Sequence, residues 1–126
     1  RLCSLLLLKN FVILCFCVFV GEAADTIYPD QSSISISEGR SITLSCTYTG
    51  SPWDLHWYQQ KPGSRPEFLV LINEASGTNV TAQQPDPRLS IRLQKNNMKV
   101  YLEISSTAVS DSALYYCALH VPSEQL

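Results

Sequence analysis

Residues 111–120 read DSALYYCALH. Ala113, Tyr115 and Cys117 alternate with Leu114, Tyr116 and Ala118, the period of a β-strand that buries one face. A second cysteine sits in the same setting upstream. In SITLSCTY, residues 41–48, Ile42, Leu44 and Cys46 alternate with Ser41, Thr43 and Ser45. Two cysteines on the inward faces of two strands, far apart in the chain, set the frame for everything between them.

The chain has 126 residues, a formal net charge of −2, 45% apolar and 16% charged residues. This composition supports a packed core of one ordinary domain and argues against disorder. It lacks the basic stripe of a nucleic-acid binder. The remaining cysteines, Cys3, Cys15 and Cys17, fall in RLCSLLLLKNFVILCFCVFVGEA. Arg1 and Lys9 precede an unbroken apolar run over residues 11–20, and Gly21-Glu22-Ala23 supplies the small residues of a peptidase site. Residues 1–23 therefore read as a secretory signal peptide cleaved after Ala23. Lys9 interrupts the longer apolar stretch that a membrane span needs. Cleavage leaves Cys46 and Cys117 alone in an oxidising compartment, where they most simply form one disulfide. Closing a loop of about 70 residues is worth roughly 4 kcal/mol on the chain-entropy model.

From Asp25 onward the pattern is one of short strands and turns, without helical periodicity. SSISISEG places Ile34 and Ile36 on one face. LHWYQQ leads into the turn KPGSRP, and EFLVLI is continuously apolar up to Asn73. RLSIRLQ alternates Leu89, Ile91 and Leu93. KNNM reads as a hairpin turn, and VYLEIS places Leu102 and Ile104 together. Many short strands at this spacing predict an all-β sandwich or barrel.

Trp57 lies eleven residues after Cys46, and Tyr115 two before Cys117. The cysteine–tryptophan–DSALYYC set resembles the immunoglobulin variable-type domain, a two-sheet Greek-key sandwich. WYQQKPGSRPEFLVLI and VYLEISSTAVSDSALYYCAL are most similar to a T-cell receptor variable segment of the alpha/delta type. The resemblance spans nearly all of residues 24–126. It implies Trp57 packed on the Cys46–Cys117 bridge, Tyr115 tying its strand to the preceding corner, and an Arg88–Asp111 salt bridge across the bottom of the domain.

The resemblance also implies two working surfaces. Antigen-contact loops fall at Gly50, Ser51, Pro52, Trp53 and Asp54, at Asn73, Glu74, Ala75, Ser76 and Gly77, and after Cys117 at Leu119 and His120. Trp53, in a short Gly/Ser/Pro loop, suits a rigid contact anchor. A partner-chain interface falls at Tyr58, Gln60, Pro66, Phe68 and Tyr116. Alternation agrees: Tyr58 and Gln60 point out where Trp57 points in, and such an outward aromatic cluster needs a cover. NVT at residues 79–81 is an N-glycosylation sequon at Asn79, expected in a surface loop.

Enzymatic readings find little support. Asp54 and His56 invite a dyad but edge a loop. No His/Cys spacing suits zinc and no glycine-rich phosphate loop occurs, so no metal or cofactor is expected. The implied function is the antigen-recognition variable domain of a T-cell receptor alpha-type chain. Its partners would be a beta-type or gamma-type chain, a peptide–MHC ligand and, through regions outside this sequence, CD3-type signalling subunits. Its place would be the cell surface, as part of a longer chain. An antibody light chain, a non-rearranging variable-type receptor and an adhesion immunoglobulin domain are the alternatives. The family's last strand carries Phe-Gly-x-Gly from a joining segment. HVPSEQL, residues 120–126, has neither Phe nor Gly. The final strand is therefore expected to be missing, and the strand of Tyr115 and Cys117 to present an open edge.

Overall fold

The computed structural model describes residues 2–7, 13–18, 25–31, 34 and 36–121. Its strands are β1 (Leu2–Leu7), β2 (Ile13–Val18), β3 (Thr26–Pro29), β4 (Ile42–Thr49), β5 (Asp54–Gln60), β6 (Glu67–Asn73), β7 (Asn79–Thr81), β8 (Leu89–Gln94), β9 (Lys99–Ile104) and β10 (Leu114–His120). They form two antiparallel sheets, one ordered β2-β1-β10-β5-β6-β7 and the other β3-β4-β9-β8. This is the all-β sandwich that strand alternation predicts, in the two-sheet arrangement that the resemblance implies.

Alternation becomes burial strand by strand. In β4, Ile42, Leu44, Cys46 and Tyr48 face inward. In β5 the inward pair is Leu55 and Trp57, and in β10 it is Tyr115 and Cys117. Cys117 lies directly opposite Trp57 in the β10–β5 ladder, so both point to the same face. The Cys46–Cys117 disulfide joins the two sheets beside that indole, across a Cα–Cα distance of 6.7 Å. The Tyr115 hydroxyl donates to the Asp111 carbonyl at 2.8 Å and accepts from Gln59 Nε2 at 2.8 Å. Burial pushes its pKa upward.

The Arg88 guanidinium forks onto both oxygens of Asp111, at 2.9 and 2.8 Å, and also binds Asp86 at 2.9 Å. The Asp111 side chain is 7% exposed and that of Arg88 31%. Burial alone would raise the Asp111 pKa. Hydrogen bonds from Arg88 and the Ala108 N–H, with the Arg88 charge, outweigh burial and hold the carboxyl below its ordinary range.

Three details differ from the sequence expectation. Ile34 and Ile36 pack against the core, but their segment is not a strand among the described residues. Alternation there records burial, and a strand also needs a ladder partner. β3 and β7 are strands that the pattern did not announce. The Asn79 sequon consequently sits on an edge strand and not in a loop. KNNM turns the β8–β9 hairpin as expected, through a 3-10 turn at Lys95–Asn97 closed by Met98 in the left-handed region at φ 56°.

The third difference concerns the open edge. β1 pairs antiparallel with β10, from Leu2 opposite Ala118 to Leu6 opposite Leu114, and β2 pairs with β1. The edge of β10 is therefore occupied, by the N-terminal segment. The expected cleavage site at Ala23 and the tail over residues 122–126 lie outside the described residues.

Two outcomes follow from this frame. Asp111→Ala is expected to destabilise the fold by about 3 kcal/mol, the low end for breaking a buried pair, read from denaturant melts. A depressed carboxyl gives stability that is present above its unfolded pKa, about 4, and lost as pH falls through the still lower folded value. Acidification below about pH 4 should therefore lower the melting temperature of the wild type more than that of Asp111→Asn. Removing residues 1–24 strips β1 from β10 and exposes an apolar edge, which templates aggregation. Size-exclusion profiles should show loss of monomer, restored by a C-terminal extension able to form a strand. A cooperative monomeric melt of the shortened chain would refute the edge argument.

Candidate functional site

The β4–β5 loop, the β6–β7 turn and the end of β10 meet at one tip of the sandwich. Gly50 opens the first loop at φ 90°, a conformation other residues rarely adopt. A Cβ there would also lie 2.0 Å from Asp25 Oδ1. Pro52 is buried, and Trp53 is 53% exposed. The Trp53 ring meets the His120 ring edge-on at 5.7 Å.

Backbone hydrogen bonds lash the three segments together. The Trp53 N–H donates to the His120 carbonyl at 2.7 Å, and the Glu74 N–H donates to the Trp53 carbonyl at 2.8 Å. Asn73 organises the second turn. Its amide nitrogen donates to Asp54 Oδ1 at 3.2 Å, and its oxygen accepts from the Ser76 N–H at 2.9 Å and the Ser76 hydroxyl at 3.0 Å. Asp54 Oδ2 lies 3.8 Å from His120 Nδ1. Beneath the turn, the Tyr48 hydroxyl reaches Glu74 Oε2 at 3.4 Å. Burial, with the Glu74 charge behind it, pushes the tyrosine up to about 12. The result is a pre-organised tip that presents Trp53, His120, Ala75, Ser76 and Gly77 to solvent.

The second surface is the outer face of the six-stranded sheet. Tyr116 lies opposite Tyr58 and Leu114 opposite Gln60, and the Tyr116 hydroxyl donates to Gln60 Oε1 at 2.7 Å. Strict alternation from Val70 and Ile72, both buried, would turn Phe68 inward. A register shift between Trp57 and Tyr58 pairs Val70 with Trp57 but Phe68 with Tyr58. This bulge re-aims Phe68 to the outer face, where its ring meets Tyr58 at 5.8 Å and His56 at 6.3 Å. Tyr58, Pro66, Tyr116 and Ala118 line an apolar depression of about 230 Å³.

The sequence reading omitted His56 from this face, although its phase is that of Tyr58 and Gln60. Its Nδ1 is 3.2 Å from the Tyr58 hydroxyl, and its Nε2 is buried without a hydrogen-bond partner among the described residues. Burial lowers its pKa despite the opposing charge of Asp54. Tyr48 was also missed as the support under the second turn; the alternation of Cys46 with Tyr48 carried that signal. Asp54 and His56 engage different partners, Asn73 and His120 for the one and Tyr58 for the other.

The immunoglobulin V-set domain family matches residues 30–126. Human T cell receptor alpha variable 38-2/delta variable 8 is 39% identical over 98 residues, covering 75% of this chain and 80% of the relative. Human T cell receptor alpha variable 38-1 is 36% identical over 110 residues, 85% of this chain and 90% of the relative. The longer human T cell receptor alpha chain MC.7.G5 is 39% identical over 98 residues, of which the match covers 34% of the relative. The chain belongs to the immunoglobulin V-set family, as a homologue of T cell receptor alpha/delta variable segments.

The two aromatic roles predict opposite effects. Trp53→Ala removes a largely exposed side chain and should change stability by no more than about 0.5 kcal/mol. Tyr115→Phe deletes a buried hydroxyl bonded to Asp111 and Gln59 and should cost about 1–3 kcal/mol. Urea melts of the two variants side by side make the comparison.

Proposed function

We propose that this chain is the antigen-recognition variable domain of a T-cell receptor alpha-type chain. Residues 1–23 serve as its secretory leader. The outer face of β10, β5 and β6 pairs with a beta-type or gamma-type variable domain. The tip carrying Trp53, Asn73 and His120 contacts peptide presented by an MHC molecule. It acts at the cell surface by binding and not by catalysis, and signals through CD3-type subunits that assemble with other parts of the receptor.

The observation that carries this reading is the outward cluster of Tyr58, Phe68 and Tyr116, with Phe68 turned out by a bulge that costs the sheet its regular register, beside an apolar depression lined by Tyr58, Pro66, Tyr116 and Ala118. A core gains nothing from turning Phe68 outward; a partner does. The homology to receptor variable segments supports the same assignment.

Tyr116→Asp and Gln60→Glu test it. Each should weaken co-purification with a beta-type partner by about tenfold or more, equivalent to about 1.4 kcal/mol. The melt of the unpaired domain should shift by no more than about 0.5 kcal/mol. Undiminished pairing by both variants would move the interface elsewhere.

A further inference from the structure

Asn79-Val80-Thr81 forms β7, one edge of the six-stranded sheet, and all three residues are exposed. The ladder fixes where each side chain lies. Asn79 pairs with Ile72 and Thr81 with Val70, while Val80 pairs with Leu71. Leu71 in turn pairs with His56, a residue of the outer aromatic face. Directly opposed residues share a face. Asn79 therefore lies on the side of buried Ile72, turned away from Tyr58, Phe68 and Tyr116.

On that side the sandwich is open. A cleft of about 400 Å³ separates the β6–β7 edge from β8, and Asn79 lines it with Ile72, Ile91, Leu93, Arg92 and Lys95. Ile72, Ile91 and Leu93 give it apolar surface, and Arg92, Lys95, the Glu74 carboxylate and the Ser76 hydroxyl give it polar groups. A pyranose presents the same combination, an apolar ring face with polar groups at its margin.

We infer that Asn79 carries an N-linked glycan whose first N-acetylglucosamine covers this cleft between the sheets and leaves the pairing face clear. The inference rests on the secretory reading of residues 1–23. The donor is a lipid pyrophosphate-linked oligosaccharide. The Asn79 amide nitrogen bonds to the anomeric carbon and gives up a proton. The bond from that carbon to the pyrophosphate oxygen breaks, and the lipid pyrophosphate leaves with the electron pair. Thr81 supplies the hydroxyl that the sequon requires.

The test expresses the full chain, extended at its C terminus by a strand able to close the β10 edge once the leader is removed, in mammalian secretory cells and follows its mobility before and after treatment with a peptide N-glycosidase. The wild type and Thr81→Ser should shift on treatment; Asn79→Gln and Thr81→Ala should not. Pro62→Asn in the Thr81→Ala background provides the control, because it creates a sequon with Gly63 and Ser64 in an exposed turn. Modification of the control but not of Asn79 overturns the inference and leaves the secretory reading standing. Modification of neither overturns both. Glycan position is read by hydrogen exchange. Removing the sugar should speed exchange over residues 91–95 and leave residues 114–118 and co-purification with a beta-type partner unchanged. Unchanged exchange over residues 91–95 overturns the cleft assignment. A gain in pairing on deglycosylation overturns the assignment of faces.

Discussion

The Cys46–Cys117 bridge, with Trp57 opposite Cys117, is the constraint on which the rest of the domain depends. It fixes which face of β4 and which face of β10 look inward, and the β10–β5 ladder passes that phase to β5. A slip of one residue would send every side chain of a strand to the other face. Once Cys117 and Trp57 are inside, Tyr116, His56, Tyr58 and Gln60 must be outside. The candidate pairing face is thus the complement of the core, set by the same register that packs Tyr115, Leu55 and Trp57 together.

The tip obeys a different logic. Its loops contribute little apolar burial, so their order comes from backbone ties and from Asn73, which holds Asp54 with its nitrogen and Ser76 with its oxygen. Loops positioned by a rigid scaffold are the usual carriers of binding function. Here the first loop is anchored at its base by buried Pro52 and by the Trp53 N–H to His120. The exposed Trp53 indole is therefore held in place before any ligand arrives, which reduces the ordering cost of contact.

Alternation made the inward residues of β4, β5, β9 and β10 legible in the sequence, because a half-buried strand writes its burial in period two. The limits have equally local causes. EFLVLI is apolar on both faces, so its pattern carries no phase, and the bulge that turns Phe68 outward is invisible in it. Ile34 and Ile36 alternate and pack on the core, yet burial alone does not form a ladder, and among the described residues of their segment none is in a strand. Asn79-Val80-Thr81 is too short and polar to read as a strand; it becomes one by lying against β6. At the tip, Trp53 was legible as a loop residue and Asn73 as the end of the apolar strand, but the ties between the separate segments depend on contacts distant in sequence.

The two edges flanking the paired strands are chemically unlike. At β7 the edge is three residues long and wholly exposed, too short to template much pairing and ready to be covered by a sugar. At β10 the edge is long and runs beside the disulfide, and β1 fills it at five ladder positions, Leu2–Ala118 to Leu6–Leu114. Every backbone group so paired would otherwise need water or another strand. This places a requirement on any form of the domain that has lost its N-terminal segment. A replacement strand must run antiparallel to β10 and satisfy the backbone groups of residues 114–118. Because β10 also ends at the tip beside Trp53, the connection to such a strand must leave from that end. Closing the edge and building the third loop of the recognition surface are then one structural event. A domain made this way cannot vary its third loop without also choosing the strand that completes its sheet.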